Sequence, residues 1–265
     1  MMLFNFEVAD FTRSLQSQNG LRHGDYNRYR RLCTRKVHRL KSTLNLSNGR
    51  HRYKHVPMPD VINSPKFVQL LVVQAERAWA YAVTLKSEYA LGEAKAPGRI
   101  RHRYIHKFHR AAHWSRKLLE LAQRTCDTRT QLEASAYSLW MIGLALTEAG
   151  EYAKAIVHLE DSITSYNELI KDSLDVVFAG SSKAYRHRIT DLEPVLRVCK
   201  YKLRVGGLAV AAEPTSPKSD FESVNGSAMS VDEFSSSDDE QISASPKKNL
   251  LGAVAGKIGG WWSSK

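Results

Sequence analysis

The sequence is poor in cysteine and proline and holds no long apolar run, and each shortage removes a class of protein. Its three cysteines, Cys33, Cys126 and Cys199, are an odd number with no Cys-x-x-Cys pair. That argues against a disulfide framework and a cysteine zinc site, and suits a reducing compartment. The start, from Met1 to Asp10, lacks a basic region and carries acids where a signal peptide is apolar, so secretion is not expected. The longest apolar stretches, Phe67 to Val73 and Leu250 to Trp262, fall well short of the ~20 residues that span a bilayer. An integral membrane protein is not expected either. The phosphate loop Gly-x-x-x-x-Gly-Lys, Gly-x-Gly-x-x-Gly, His-Glu-x-x-His and Gly-x-Ser-x-Gly are all missing, so no catalytic residue and no cofactor is expected.

What remains is a chain of 265 residues with 43% apolar and 25% charged residues, enough to bury a core in one large or two small domains. Its 39 Lys and Arg against 27 Asp and Glu give a net charge of +12. The excess is unevenly spread. Residues 206–246 hold one Lys against eight acids, and residues 247–265 hold four Lys and no acid, which leaves residues 1–205 at +15. A body so basic suggests a polyanionic partner.

Periodicity is helical almost throughout, and the eight prolines mostly fall near boundaries or late in the chain. The spacing predicts an all-α body with helices over Phe4–Gln18, Asp25–Leu44, Ser64–Tyr89, Arg99–Cys126, Thr130–Ala149 and Glu151–Ile170, and a C-terminal pair meeting near Pro194. Asn45 to Asn63, with Gly49, Pro57 and Pro59, reads as a loop. Three parts follow: a helical domain over 1–205, an acidic Ser-rich disordered linker over 206–246, and a short Gly/Trp segment over 247–265. Gly143, Gly150, Tyr152 and Ala155 fall at the offsets of a tetratricopeptide-like hairpin, in which Gly150 ends one helix and Ala155 packs on Gly143. Tyr137 and Trp140 read as core fillers rather than ligand contacts.

Arg22 to Lys54 contains eleven Lys and Arg and one acid, Asp25. A charge run is usually just a solvated face. Here, with Asp25 as N-cap, Tyr26, Tyr29, Cys33, Val37, Leu40 and Leu44 recur at spacings of three and four and form an apolar stripe. Arg28, Arg31, Arg35, His38 and Arg39 then fall on the opposite side. Like charges one turn apart repel by some tenths of a kcal/mol per pair, a cost that a polyanion would remove. Arginine's planar fork suits phosphate and can stack on bases, which favours nucleic acid over a lipid surface. Arg50, Arg52 and Lys54, around Tyr53, read as loop cations that reach an RNA backbone.

A second basic helix strengthens that reading. From Arg99 to Lys117 there are seven Lys and Arg, four His and no acid. Tyr104, Phe108, Ala111, Ala112, Ser115, Leu118 and Leu119 form its apolar stripe, while His102, His106, His109 and His113 line the far side beside Lys107, Arg110 and Lys117. Four histidines amid fixed cations, without carboxylate or thiolate ligands, make a poor metal site, so none is assigned. A phosphate-facing stripe that gains charge as pH falls is preferred.

Gly20 to Leu44, with its Asp25-Tyr-Asn-Arg-Tyr-Arg-Arg-Leu-Cys-Thr-Arg-Lys-Val-His-Arg-Leu-Lys41 core, closely resembles the arginine-rich motif of the sixty-eight-kilodalton subunit family of the signal recognition particle. Gln74-Ala-Glu-Arg-Ala-Trp-Ala-Tyr-Ala82, Lys117-Leu-Leu-Glu-Leu121 and Leu132-Glu-Ala-Ser-Ala-Tyr137 also look like that family, so the resemblance covers residues 4–204. It implies an all-helical, tetratricopeptide-like domain that binds and remodels the junction of the particle's RNA. Carried over residue by residue, Arg28, Arg30, Arg31, Arg35, Lys36, Arg39 and Lys41 would contact RNA, with Tyr26, Tyr29 and Leu40 holding the helix. Arg22, His38, Arg50, Arg52, Lys54, Arg103, Lys107, Arg110 and Lys117 complete the candidate RNA-binding set.

The implied partners are the particle's RNA and its other subunits, with the ribosome and the endoplasmic reticulum receptor reached indirectly. The implied location is the cytoplasm, with recruitment to the endoplasmic reticulum surface. Family members continue into a region for the seventy-two-kilodalton subunit, whereas this chain passes into an acidic tail after Leu203, so that pairing is not carried over. Two other readings of the residues are a tetratricopeptide adaptor with a peptide in its groove, and attachment to acidic lipid through the basic face and Trp261-Trp262.

Overall fold

Stop signals and buried stripes divide the described part of the chain into seven helices. The computed structural model describes residues 4–18, 21–46, 64–92, 96–172 and 179–212. The helices are α1 (Val8–Gln18), α2 (Tyr26–Thr43), α3 (Lys66–Ala90), α4 (Pro97–Thr125), α5 (Thr128–Ala149), α6 (Tyr152–Asp172) and α7 (Ala179–Ala212), with a 3-10 turn at Leu21–His23. Among the described residues there is no strand beyond one isolated bridge between Phe4 and Cys126, so the all-α expectation holds. No helix among them is long and apolar enough to cross a membrane. Arg50, Arg52, Lys54 and most of the expected loop lie outside the described residues, as do the acidic linker beyond Ala212 and the Trp261-Trp262 segment.

Local chemistry sets the boundaries. Asp127 caps α5, its carboxylate accepting from the Thr130 backbone N–H at 3.1 Å. Gly150 ends the same helix at φ 92°, a left-handed conformation that costs glycine little. The hairpin of α5 and α6 is therefore where its spacing placed it, although its closest contact differs. A Cβ at Gly143 would lie 2.7 Å from the Leu159 Cδ2 and 3.7 Å from the Ala155 carbonyl, so the Leu159 side chain, rather than Ala155, fills the space glycine leaves.

Two expectations fail for identifiable reasons. The C-terminal pair is one helix, α7, which runs through Pro194. An internal proline costs ~3 kcal/mol, but Tyr185, Leu192, Val195 and Cys199 on both sides of it are buried, and their burial keeps the helix continuous. Residues 4–7 are extended rather than helical. The Phe4 N–H donates to the Thr125 carbonyl at 2.9 Å, its own carbonyl accepts from Asp127 at 3.1 Å, and the Phe6 N–H donates to Thr130 Oγ1 at 3.0 Å. Tertiary hydrogen bonds outcompete helix extension there.

From α2 to α7 each helix packs on its neighbours in the chain, and α1 crosses to touch α3, α5 and α7. Those three alternate helices form one layer, and α1 lies across it. Two buried carboxylates tie it down. Glu76 on α3 accepts from Gln16 of α1, Tyr29 of α2 and Tyr137 of α5 at 2.8, 2.7 and 2.8 Å. Glu133 on α5 accepts from the Ala9 backbone N–H at 3.2 Å and from the Tyr185 hydroxyl of α7. Arg188 of α7, also buried, donates to Thr12 of α1 at 3.2 Å and stacks 4.0 Å over the Trp140 ring. Trp140 and Tyr137 are core residues, as their spacing predicts.

Burial raises the Glu133 carboxyl from 4.5 to about 7. A folded-state value above the unfolded one means that the native protein holds a proton which the unfolded chain releases, so this contribution to stability is complete below pH ~4.5 and is lost as pH rises through 7. Urea unfolding from pH 4.5 to 8 should show this loss, roughly 3 kcal/mol at most. In Glu133→Gln that component of the slope should vanish, whatever the variant's absolute stability.

Candidate nucleic-acid interface

Asp25 starts α2 by accepting from the Arg28 backbone N–H at 2.8 Å. Tyr29, Cys33, Val37 and Leu40 are buried and Tyr26 and Leu44 are half-buried, so the apolar stripe is docked as expected. Burial pushes the Cys33 thiol up to about 12, consistent with a packing role. The Tyr29 hydroxyl on Glu76 and the Tyr26 ring, 5.8 Å from that of Trp79, fix the rotation of the helix.

That rotation turns Arg28, Arg31, Arg35, His38 and Arg39 outward, and all five are exposed. Asp25, Asn27, Arg28, Arg31 and Arg35 line an open concavity of about 340 Å³. The other cations of α2 are placed differently. Lys36 is half-buried with its Nζ 4.4 Å over the Phe11 ring, Arg30 lies 4.3 Å over the Tyr81 ring, and Lys41 is half-buried. The Arg22 side chain lies outside the described residues.

On α4, His102, Arg103, His106 and His109 are exposed, and Arg110, His113 and Lys117 are half-buried. Lys107 departs from the expected face, being only 6% exposed. Its position, three residues after Tyr104 and four before Ala111, puts it on the buried stripe, where its aliphatic stem packs and its Nζ sits 5.2 Å from the Tyr81 ring. Arg103 donates to the Tyr81 hydroxyl at 2.8 Å. Tyr81, on α3, thus stands between α2 and α4 and links their basic faces. Sequence reasoning missed it because it sits in the apolar repeat Ala78-Trp79-Ala80-Tyr81-Ala82, which reads as core.

Two of these histidines, His106 and His109, are poised low. Burial first, then Lys107, Arg110, His102 and His109, lowers the His106 imidazole below its ordinary value. For His109 burial comes first and Arg116 second, with Glu151 pulling the other way. Among the described residues no cluster of three or more His, Cys, Asp or Glu is placed to hold a metal.

The surface is thus one of exposed guanidinium and imidazole groups spread over two helices that both pack on α3, without an acid from Tyr26 to Thr43 or from Arg99 to Lys117. The model of the family described as "RNA-binding signal recognition particle 68" matches residues 21–250 of the chain. The chain belongs to this family. Curated family members include "Signal recognition particle subunit SRP68" of Drosophila melanogaster, 32% identical over 213 residues, which are 77% of this chain and 33% of that protein. The Dictyostelium discoideum subunit of the same name is 31% identical over 208 residues, 76% of this chain and 33% of its own. This chain therefore spans about a third of the length of these relatives. Among solved structures, the "SRP68-RBD from Chaetomium thermophilum" aligns with a TM-score of 0.59 and 20% identity, covering 76% of this chain and 100% of that one, so the helical arrangement is shared.

Titration of the imidazoles by NMR should give midpoints below 6.5 for both His106 and His109. Arg116→Ala should raise the His109 midpoint and Glu151→Gln should lower it further. An unmoved midpoint in both variants would contradict the electrostatic assignment.

Proposed function

We propose that this chain is a non-catalytic RNA-binding scaffold of the signal recognition particle. The observation that carries the reading is a pair of basic helices flanking Tyr81, free of acids from Tyr26 to Thr43 and from Arg99 to Lys117, that turn outward on α2 through Arg28, Arg31, Arg35, His38 and Arg39 and on α4 through Arg103, Arg110 and Lys117. Membership of a family described as RNA-binding, and the name of the structural neighbour's domain, support the same ligand.

The α2 face enters a groove of the particle's RNA. A-form RNA has a deep, narrow major groove, so entry needs a bulge or junction that opens it, and the energy of deforming the RNA is offset by the phosphate contacts that follow. The role is to remodel that junction and hold it, by positioning rather than reaction. Arg50, Arg52 and Lys54 extend the contacts, and the partners are the particle's RNA and its other subunits. Through the particle the chain serves delivery of ribosomes to the endoplasmic reticulum, working in the cytoplasm and at that membrane's surface. Pairing with the seventy-two-kilodalton subunit is not assigned.

The peptide-adaptor reading is disfavoured by α1, which lies across the layer of α3, α5 and α7 and is hydrogen-bonded to Glu76, Glu133 and Arg188. Protonation adds a signature. A polyanion raises the lowered His106 and His109, so binding takes up protons and affinity should rise as pH falls toward 6.

With seven or more phosphates neutralised, log affinity for transcribed signal recognition particle RNA should fall with log salt at a slope of about −5 or steeper. Replacing Arg31, Arg35 and Arg39 together by alanine should weaken binding at least tenfold, roughly 1.4 kcal/mol or more, and leave the circular dichroism spectrum unchanged. A folded protein that ignores this RNA at modest ionic strength would sink the proposal. Flotation with anionic vesicles that survives loss of RNA binding would favour the lipid reading instead.

A further inference from the structure

Tyr81 is half-buried on α3, and three cations from two other helices converge on it. The Arg30 guanidinium of α2 lies 4.3 Å from the ring centroid and the Lys107 Nζ of α4 5.2 Å from it, while Arg103 of α4 donates to the hydroxyl at 2.8 Å. Like charges gathered this closely repel one another, so something must hold them. An aromatic ring does so through its quadrupole and leaves the net charge intact. The hydroxyl oxygen adds an acceptor aimed at Arg103, whose planar fork keeps further donors free toward solvent.

We propose that Tyr81 is the positioning residue of the nucleic-acid surface, holding Arg30, Arg103 and Lys107 about one side chain so that α2 and α4 present their charges as a single surface of fixed spacing. This rests on the RNA-binding reading above. Register is the point of such a device. The phosphates of folded RNA are spaced by the RNA's own geometry, and two basic helices that could slide or splay relative to each other would match that spacing only part of the time. Tyr81 itself need not touch RNA.

The test uses the full chain and transcribed signal recognition particle RNA, with binding measured over a salt series and folding by circular dichroism and thermal melting. Tyr81→Leu keeps an apolar side chain but removes both the ring and the hydroxyl. It should weaken binding by about fivefold to tenfold with little change in helix content. Tyr81→Phe keeps the ring and loses only the Arg103 hydrogen bond, and should recover most of the affinity, to within about threefold of the unchanged chain. A cycle built from Arg31→Ala on α2 and Arg110→Ala on α4 supplies a readout that mere stability would not move. Their effects on affinity should be coupled in the unchanged chain and additive in the Tyr81→Leu background.

A folded Tyr81→Leu variant that binds as tightly as the unchanged chain, while the Arg31, Arg35 and Arg39 replacement abolishes binding, overturns the role of Tyr81 and leaves the RNA reading standing. Absence of RNA binding by the unchanged chain overturns both. Should Tyr81→Leu lose helix, Arg30→Gln and Arg103→Gln decide: if neither of these variants, when folded, weakens binding or the Arg31 to Arg110 coupling, the role of Tyr81 is overturned.

Discussion

The arrangement depends on a carboxyl group kept away from water. Glu76 is fully buried on α3, and a carboxylate there is tolerated only because donors surround it. The three it has come from three other helices: Gln16 of α1, Tyr29 of α2 and Tyr137 of α5. Each hydrogen bond to such a group contributes about 1.5–3 kcal/mol, and each is lost if its helix turns or slides. Glu76 therefore specifies register more than it adds stability. For α2 the consequence is direct, since Tyr29 on the carboxylate is what points Arg31, Arg35 and Arg39 at solvent.

Much of this was legible in the sequence and some was not, and the difference has a physical pattern. The docked stripe of α2 could be read because Tyr29, Cys33, Val37 and Leu40 are apolar at helical spacing, and burial follows from period alone. Lys107 could not, because its charge outvoted its position, and the Tyr81 ring beside it helps to make the buried site tolerable. Pro194 misled in the opposite sense, since a local rule against internal proline was overridden by packing on both sides. The extended run at Phe4 depends on backbone partners more than 120 residues away, and no local pattern reports them. Glu76 and Tyr81 both sit inside an apolar helix, where a reader of periodicity expects filling rather than function.

The basic face is held by the bundle rather than by itself. Arg31, Arg35 and Arg39 stand one turn apart, an arrangement that costs an isolated helix some tenths of a kcal/mol per pair. Burial of four side chains on the opposite flank contributes several kcal/mol, at 1.5–3 kcal/mol for each large apolar side chain, and outweighs the repulsion. The same division of labour holds on α4, where Phe108 and Leu118 anchor a helix on which His106 and His109 are lowered, by partial burial first and by neighbouring cations second. Charge is stored there in a form that a ligand can switch on.

Helix α1 changes what kind of object the array is. Stacked hairpins touch only their neighbours, so a stack can fray from either end one unit at a time, and its folding is a sum of near-neighbour terms. By bonding to residues of α3, α5 and α7 at once, the first eleven-residue helix closes a loop between the beginning and end of the described chain. Peeling α7 away breaks Arg188 from Thr12, and releasing α1 uncovers Glu76 and Glu133 together. Opening at one end therefore breaks contacts of the other, a coupling that a simple stack of hairpins lacks. Such closure joins Thr12 to Arg188 across 176 residues, so the clasp that makes the stack a ring is also its contact of greatest loop entropy.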